Sequence, residues 1–565
     1  MAALPQGSAP APTMKDVPTI LVGVLSESWA TLWEAIADAL PDHPAVVVGE
    51  QRMTWRQLDD RAARLATSFT SLDVGPDTKV GQLLYNCPEY LETVYAALKV
   101  RAAPHNINHR YLADEIAYVV DNADTEVLVF HGALAERVTD VRSRVPGLRA
   151  VIQVDDGSPH LEGALRYEEL VGGHEPAARI DRSGADHLLL FTGGTTGLPK
   201  GVVWAHEDLW GALAFTGYVS MGLEVPETAA EVGRVAAQLN ADGRSPVNLC
   251  APPLMHGTAL FLAISTFVLG GTVVLLAGRH YDADELLALV ERERVTQMSI
   301  VGDAFARPVV AALEVAEEAG RPYDLSSLQR VVSTGATLSA VGKRALAARQ
   351  PMAIIDMIGA SEGGPYAINM TLPGQDPGET AVFTVTPQTV LFDDLTWEPI
   401  PPGSGRSGVL AVAGAMPRGY YKDPDKTAST FREIGGKRYT VPGDYATIDD
   451  DGTVHLLGRG SVCINTGGEK VYPEEVEVAA RAHPGVADCN AVGVPDDRYG
   501  EAVTLVVART PGQPPVSEDD VIAAVRSRLA TYKAPRRVVF VEEIRRSPAG
   551  KADYRWAREV AAGVG

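Results

Sequence analysis

The stretch FTGGTTGLPKG, from Phe191 to Gly201, places three glycines and three threonines ahead of a single lysine, Lys200. The apolar run just before it, Leu188 to Leu190, is typical of a buried strand. Glycines leave backbone N–H groups open to an approaching anion, while threonine hydroxyls and the Lys200 ammonium add donors and charge. The P-loop motif is not met, since two residues separate Gly197 from Lys200. The pattern predicts a strand that opens into a phosphate-binding loop, with a plain glycine-rich turn as the alternative.

Strand and helix patterns alternate on both sides of this loop, which predicts parallel sheets with helices on their faces. The helical patterns include Met53–Phe69 and Pro88–Val100. Strand, glycine turn and helix are predicted in each of three later segments, at 297–308, 328–339 and 352–364. Short strands from about Thr380 predict a small antiparallel β subdomain.

The last hundred residues or so have the pattern of a compact α+β domain. The predicted fold class is therefore α/β, with a large N-terminal domain of stacked parallel α/β sheets, a small β subdomain and a smaller α+β C-terminal domain. We predict a loose tail over residues 1–25, the N-terminal domain over 26–458 and the C-terminal domain over 459–565.

Composition excludes several classes of protein. Hydrophobic residues make up 46% of the 565 residues and charged residues 22%, as in a soluble globular protein, and the net charge of −22 argues against nucleic-acid binding. The uncharged run Ala259–Ala277 is split by two glycines, so we interpret it as a buried helix and a buried strand and not as a transmembrane span. Four scattered cysteines and the absence of a secretory signal pattern favour a reducing, cytoplasmic setting without disulfides or zinc.

Further motifs follow the loop in a fixed order. Together they resemble the adenylate-forming superfamily of acyl-CoA synthetases, adenylation domains and firefly luciferase, and the resemblance extends from about Ser28 to Trp556. The motifs are PLMHG at 253–257, STGAT at 333–337, IGASE at 358–362, GYYKDP at 419–424, PGDYA at 442–446, Arg459 and SPAGK at 547–551.

The resemblance implies a nucleotide site. Asp444 would accept hydrogen bonds from both ribose hydroxyls, and Arg459 would add a ribose or phosphate contact. Glu362 and Thr192 would hold Mg²⁺, and Lys551 would be the main electrostatic catalyst. The implied ATP- or AMP-binding residues are Thr192, Gly193, Gly194, Thr195, Thr196, Gly197, Lys200, Gly335, Ala336, Thr337, Ile358, Gly359, Ala360, Ser361, Asp444, Arg459 and Lys551.

The resemblance also implies an acyl pocket and a coenzyme A path. Met255, His256 and Gly257 would lie near the acyl group, and Gly467, Gly468 and Lys470 near coenzyme A.

Structural interpretations stay open beside these roles. They are a core histidine for His256, a helix N-terminal acid for Glu362, a turn aspartate for Asp444, a surface ion pair for Arg459, a surface lysine for Lys551 and a hairpin turn for Gly467 and Gly468.

The implied reaction joins a carboxylic acid to ATP, releases pyrophosphate, and transfers the acyl group to coenzyme A with release of AMP. The family's C-terminal domain is mobile between these steps. TGGTTGLPKGVVWAHED and RRSPAGKADYRWA are most similar to actinobacterial acyl-CoA ligases for long-chain fatty acids and steroid side chains. Loading of a carrier protein, medium-chain or aryl acids as substrates, and a nucleotide-binding relative without turnover are the alternatives. A homodimer is left open.

Three residues depart from the family pattern. Ile358 stands where the family has the tyrosine that stacks on adenine, which predicts somewhat weak ATP affinity or another stacking residue. Ser361 replaces threonine, a mild change. Ser461 stands where the family often has a charged hinge residue, which leaves the position of the hinge open.

Overall fold

The computed structural model describes residues 25–192, 198–459, 462–466, 469–496, 500–529, 531–546 and 552–563. Its helices are α1 (Trp29–Ala39), α2 (Trp55–Ser71), α3 (Pro88–Lys99), α4 (Ala113–Asn122), α5 (Ala135–Arg144), α6 (Tyr167–Gly172), α7 (His206–Gly217), α8 (Ala229–Ala241), α9 (Gly257–Phe267), α10 (Ala283–Arg292), α11 (Asp303–Glu318), α12 (Ala340–Arg349), α13 (Pro424–Thr430), α14 (Pro473–Arg481), α15 (Glu518–Arg526) and α16 (Tyr554–Ala561).

Its strands are β1 (Pro44–Val48), β2 (Gln51–Thr54), β3 (Lys79–Leu83), β4 (Ala103–Asn106), β5 (Thr125–His131), β6 (Ala150–Val154), β7 (Leu165–Arg166), β8 (His187–Thr192), β9 (Lys200–Ala205), β10 (Val247–Cys250), β11 (Thr272–Leu275), β12 (Gln297–Ile300), β13 (Arg330–Thr334), β14 (Ala353–Ala360), β15 (Gly363–Thr371), β16 (Val382–Val385), β17 (Thr389–Phe392), β18 (Gly408–Val412), β19 (Gly419–Tyr420), β20 (Phe431–Ile434), β21 (Lys437–Thr440), β22 (Asp444–Ile448), β23 (Thr453–Arg459), β24 (Ile464–Thr466), β25 (Glu469–Val471), β26 (Val486–Asp496), β27 (Gly500–Arg509) and β28 (Arg537–Val541).

The first sheet has the order β2-β1-β11-β10-β12-β13-β14-β15-β16-β23-β22-β18-β21-β20, with β17 paired to β18. Strands β1, β11, β10, β12, β13 and β14 run parallel, as the alternating pattern predicts. From β14 onward the pairing is antiparallel. The predicted antiparallel region is therefore confirmed, and its strands extend the parallel sheet through β15.

The segment at 352–364 differs from its prediction of strand, turn and helix. It is strand β14 followed by a reversal into the antiparallel strand β15, with Ala360 paired to Gly363. Gly363 and Gly364 have φ angles of +141° and +126°, which side chains disfavour and glycine accepts. The glycine pair thus turns the chain back along the sheet, and the helix-terminal interpretation of Glu362 is wrong.

The second sheet has the order β19-β9-β8-β4-β3-β5-β6-β7. Strands β8, β4, β3, β5, β6 and β7 are parallel, whereas β9 and β19 are antiparallel to their neighbours. One apolar core contains residues of both large sheets, among them Val273 and Val80. The rings of Trp33 and Trp55 pack against Phe267 in this core, with centroids 5.3 and 4.8 Å away. The two sheets thus belong to one large domain.

Local sequence sets where several elements begin and end. Thr54 and Gln57 form a capping box, so α2 starts at Trp55, two residues later than predicted. In the run Ala259–Ala277, α9 ends at Phe267, Gly270 has a φ of +67°, and β11 follows. The helix-and-strand interpretation is therefore confirmed, and no helix in the described ranges is long and apolar enough to cross a bilayer.

The smaller C-terminal domain contains the third sheet, β25-β24-β27-β26, in which β28 is parallel to β27. It has a core of its own, built from β24 to β28 with α14 and α15. It contacts the large domain where the Arg307 guanidinium donates to the carbonyl of Ala487 and where the rings of Tyr445 and Tyr472 lie 5.4 Å apart. The α/β fold class is confirmed.

Candidate functional site

A cavity of about 580 Å³ opens at the carboxyl ends of parallel strands from both large sheets. Open α/β sheets bind ligands at this edge, because the loops that follow the strands converge there. Strands β4, β8, β12, β13 and β14 all end at it, and α7 and α9 close its other side. The strand ends and the loops after them contribute Asn106, Asn108, Phe191, Thr192, Val301, Thr334, Gly335, Met357, Gly359, Ala360 and Ser361 to the lining.

Strands β8 and β9, which the glycine-threonine loop joins in the chain, meet the rim of this cavity at Thr192 and at Pro199, just before β9. The two strands form an antiparallel pair in which Thr192 lies opposite Lys200. Thr192 and Pro199, on either side of the loop, line the cavity. The predicted residues Gly193, Gly194, Thr195, Thr196 and Gly197 lie outside the described part of the chain.

Asn106 holds this loop's strand against the predicted acyl segment. The buried Asn106 accepts a hydrogen bond from the Phe191 N–H (2.7 Å) and donates to the carbonyls of Phe191 (2.8 Å) and Met255 (2.6 Å). Three backbone groups are thus satisfied by one amide side chain at the end of β4. The sequence analysis missed Asn106, since a lone asparagine after a strand carries no motif.

The STGAT segment follows β13, and Thr334 and Gly335 line the cavity. Gly335 has a φ of +90°, a conformation that favours glycine. Ala336 and Thr337 lie beside Gly302, where a β-carbon would come within 2.4 Å of the Thr337 carbonyl oxygen. The Thr337 carbonyl also accepts from the Asp303 N–H at 2.9 Å. The glycine after β12 therefore lets the predicted adenine segment approach closely.

The end of β14 contributes four cavity-lining residues, Met357, Gly359, Ala360 and Ser361. Ile358 is not among them, and its side chain packs against the apolar cluster around Tyr366. Asp356 of the same strand forms a buried ion pair with Lys343 of α12 at 3.0 Å. Burial raises the pKa of the Asp356 carboxyl to about 6 despite this lysine.

Glu362 lies at the turn between β14 and β15 and is half-buried. Its Oε1 accepts a hydrogen bond of 2.6 Å from the hydroxyl of Tyr420, in the GYYKDP segment. Lys200 pairs with Asp423 of the same segment, which holds the pKa of that carboxyl below its usual range. Lys200 and Glu362 therefore both contact the GYYKDP segment, Lys200 through Asp423 and Glu362 through Tyr420.

The other end of the cavity is apolar and is built by two helices. Helix α7 contributes Leu209, Ala212 and Leu213, whose three- and four-residue spacings place them on one face. Helix α9 contributes Phe261 and Leu262, which lie one turn after its cavity-lining residues Gly257 and Thr258 and so on the same face. The helices are tied at their far ends by a hydrogen bond of 2.6 Å from the Tyr218 hydroxyl to the Val268 carbonyl.

The predicted acyl residues Met255, His256 and Gly257 all line the cavity, next to the start of α9. A β-carbon on Gly257 would come within 2.8 Å of Leu190, so a larger residue would push against β8. The buried Trp204 also lines the cavity and donates from Nε1 to the Ser361 carbonyl at 3.0 Å. Trp204 thus joins the two ends of the cavity.

Asp444 and Arg459 are brought together by β22 and β23. They lie directly opposite each other in the antiparallel pair. The resemblance implies a ribose contact for Asp444 and a ribose or phosphate contact for Arg459. Only the backbone of Arg459 is described, and Asp444 is not among the described residues that line the cavity.

The C-terminal domain contributes Asp553 to the cavity lining. Asp553 caps α16 by accepting from the Trp556 N–H at 3.0 Å. The predicted catalytic Lys551, two positions before Asp553 in the chain, lies outside the described residues. Gly467 and Gly468 also lie outside them. Lys470 is placed by its backbone in β25, opposite Asn465. The proximity of Asp553 to the site could have been inferred from its position beside the SPAGK motif.

Comparison with known families matches residues 33–421 to the AMP-binding enzyme family and residues 475–551 to the AMP-binding enzyme C-terminal domain. The chain belongs to the AMP-binding enzyme family. One relative in this family, the 3-oxocholest-4-en-26-oate–CoA ligase of Rhodococcus rhodochrous, is 40% identical over 94% of this chain and 95% of its own length.

A second family relative is the medium/long-chain-fatty-acid–CoA/3-oxocholest-4-en-26-oate–CoA ligase of Mycobacterium tuberculosis. It is 41% identical over 94% of this chain and 95% of its own length. The crystal structure of the anthranilate CoA ligase AuaEII with anthranoyl-AMP shares the fold, with a TM-score of 0.78, 22% identity and coverage of 98% of this chain and 99% of that one.

Proposed function

We propose that this protein is an AMP-forming acyl-CoA ligase for bulky or long carboxylic acids. The observation that carries the proposal is the single cavity with two chemically different ends. A polar end of strand termini and the phosphate-loop hairpin is continuous with an apolar end between α7 and α9. A cavity of this size, mostly apolar with a few convergent polar groups, suits an acid whose carboxylate must meet a nucleotide.

In the first step, a carboxylate oxygen of the acid attacks the α-phosphorus of ATP, and the bond to the bridging oxygen of pyrophosphate breaks. Two anions meet, so fixed donors and positive charge must offset their repulsion. The loop residues Thr192 to Lys200 would bind the phosphates, the stretch Gly335–Thr337 would lie along adenine, and the Asp444 carboxylate would accept from the ribose hydroxyls. The Arg459 side chain would add a further ribose or phosphate contact.

We propose Lys551 as the main electrostatic catalyst of this step. Its neighbour Asp553 lines the cavity, which supports a place for the lysine at the site. In the second step, the coenzyme A thiol attacks the acyl carbon and AMP leaves. Gly467, Gly468 and Lys470 are proposed along the coenzyme A path, and rotation of the C-terminal domain, with its boundary at 458/459, would exchange these residues for Lys551.

The residues present fit a magnesium ion. Glu362 and Thr192 offer carboxylate and hydroxyl oxygens, the donors Mg²⁺ prefers, and Oε2 of Glu362 accepts no hydrogen bond from the described residues. No group of three His, Cys, Asp or Glu side chains suited to a metal exists in the described part of the chain, which suits an ion held mainly by nucleotide phosphates and water. When bound, the ion would neutralise phosphate charge; Glu362 and Thr192 would hold it.

For the substrate, we propose a long-chain fatty acid or a steroid side-chain acid. The names of the two relatives support both, and the apolar faces of α7 and α9 support a large apolar group. Medium-chain or aryl acids and loading of a carrier protein are the alternatives. We further propose a cytoplasmic location, consistent with four free cysteines, and leave a homodimer as an untested assembly.

Carboxylate-dependent ATP–pyrophosphate exchange tests the proposal with a panel of short, aryl, long-chain and steroid acids. We expect exchange with long or steroid acids, and thioester formation when coenzyme A is added. Exchange confined to acetate or propionate would overturn the substrate proposal, and no exchange with any acid would overturn the ligase proposal. Exchange without formation of a coenzyme A thioester would favour carrier loading.

A further inference from the structure

The GYYKDP segment, Gly419 to Pro424, lies along the strand that follows the phosphate loop in the chain. Its first two residues form β19, the edge strand that pairs with β9 directly after the phosphate loop. The Arg418 and Tyr421 N–H groups donate to the carbonyls of Val203 and Gly201, each at 2.8 Å. The segment is therefore fastened along the strand that carries Lys200.

Close packing fixes where the Tyr420 side chain starts. A β-carbon on Gly419 would come within 2.6 Å of Thr427, so β19 can lie against α13 only because glycine stands there. The Thr427 hydroxyl accepts from the Tyr420 N–H at 2.9 Å and donates to the Asp423 carbonyl at 2.7 Å. Tyr420 and Asp423 are thus held by the same hydroxyl.

The two side chains reach the two charged groups on either side of them. The Tyr420 hydroxyl donates to Glu362 Oε1 at 2.6 Å, from a ring that is only 8% exposed. Asp423 pairs with the Lys200 ammonium through Oδ2, while Oδ1 caps α13 by accepting from the Lys426 N–H at 2.9 Å. The Lys200 ammonium also lies 6.0 Å from the centroid of the Tyr420 ring.

We propose that Tyr420 and Asp423 are positioning residues: Tyr420 orients the Glu362 carboxylate and Asp423 orients the Lys200 ammonium for the metal–nucleotide complex. The inference rests on the proposed function, in which Glu362 and Lys200 bind that complex. Loss of a hydrogen bond that holds a charged group in its binding orientation should weaken binding by roughly 10-fold.

Tyr420→Phe tests the first half, because it removes the hydroxyl and keeps the ring beside Lys200. The matched control is Tyr421→Phe, which removes the neighbouring hydroxyl from its bond of 2.8 Å to Asp124, a residue outside the cavity lining. Binding of Mn²⁺ to the full-length protein with α,β-methylene-ATP is measured by electron paramagnetic resonance, with thermal unfolding recorded for each variant.

We expect Tyr420→Phe to weaken Mn²⁺ binding about 10-fold and to raise the free Mg²⁺ needed for half-maximal pyrophosphate exchange by a similar factor. Tyr421→Phe should leave both values within about 2-fold of wild type. Equal effects of the two variants would overturn the role of Tyr420. Absence of exchange in the wild-type protein with every acid would instead overturn the proposed function.

Asp423→Asn tests the second half, because asparagine still caps α13 but carries no charge for Lys200. We expect about 2- to 5-fold weaker binding of Mg·α,β-methylene-ATP by calorimetry. In a Lys200→Ala background the same substitution should have no further effect, since its partner is gone. An equal loss in both backgrounds, or no loss in either, would overturn the role of Asp423.

Discussion

The polar and apolar ends of the cavity are built in different ways. Strand termini and tight turns form the polar end, where Gly335 and Gly302 meet conformational or steric demands that few other residues satisfy. One face each of α7 and α9 forms the apolar end, where size and spacing matter more than residue identity. The proposed reaction therefore depends on sequence motifs, and the proposed choice of substrate depends on helix packing. Substitutions at the polar end should therefore affect all acids equally, and those at the apolar end should change which acid is used.

The largest effect is expected from Lys551→Ala, which removes the proposed electrostatic catalyst of the polar end. Adenylation should slow by about 10²–10³ with every acid, since a donor that acts on the developing charge is lost. Pyrophosphate exchange measures this step alone. A rate loss that varies with the acid would contradict this division between the two ends, because it would show that Lys551 takes part in the choice of substrate.

Asn106→Ala should break the connection between the two ends. Three backbone groups would lose their partner in a buried place, and we expect the free energy of unfolding to fall by about 2–4 kcal/mol. Denaturant titration measures this loss. Asn108→Ala is the control, since that side chain accepts one hydrogen bond, from Arg110, in an exposed place; equal losses would contradict the inferred role of Asn106.

A series at Ala212 sharpens the assignment of the apolar end. Valine, leucine and phenylalanine should shorten the preferred acyl chain stepwise, because each added carbon fills space that a methylene group of the acid would otherwise occupy. Each methylene group that is no longer buried costs about 0.8 kcal/mol of binding free energy. The measurement is kcat/KM across saturated acids, with the KM for ATP expected to stay unchanged. Ala212→Ser, of nearly the same size, should keep the wild-type preference; a uniform loss with all acids would count against the assignment.

Acidification should lower the free energy of unfolding through buried histidines near both ends of the cavity. Burial lowers the pKa of His206, at the start of α7, to about 3, and that of His105, beside Asn106 in β4, to about 4. In the unfolded chain a histidine has a pKa of about 6.5, so below that pH it binds a proton that it does not bind in the folded state. The free energy of unfolding should therefore fall as the pH drops from about 6.5 to 4.

Each such histidine lowers the free energy of unfolding by up to about 1.4 kcal/mol for each pH unit in that range. Urea unfolding at several pH values measures how steeply the free energy of unfolding falls with pH. His206→Gln should reduce this slope by the contribution of one proton, about 1.4 kcal/mol per pH unit. Identical slopes for the wild type and the variant would show that His206 titrates normally in the folded protein.

The smallest effect is expected from Ile358→Tyr. The family's tyrosine at this position stacks on adenine, a contact worth about 0.5–1.5 kcal/mol. Because Ile358 packs against the cluster around Tyr366 and does not line the cavity, we expect the Kd for Mg·ATP to change by less than about 3-fold. Tenfold tighter binding would show that this side chain reaches the nucleotide.

Most of the fold was predictable because its signals are local. The alternation of strands and helices, the break at Gly270 and the strand before the phosphate loop follow from short-range pattern. The error at 352–364 arose because the patterns after β12 and β13 were extended to β14, whereas a glycine pair reverses the chain there. Whether a strand is followed by a helix or by an antiparallel neighbour depends on which surface lies beside it.

The family, the order of the motifs and the residue types that a phosphate loop and a nucleotide site require can be inferred from the sequence alone, because they depend on local backbone freedom and side-chain chemistry. The contacts of Asn106 with Phe191 and Met255, of Trp204 with Ser361, and of Tyr420 and Asp423 with Glu362 and Lys200 are found only in the folded structure. These contacts join residues far apart in the chain. No local pattern records them, since they exist only once the sheets have paired and the helices have packed.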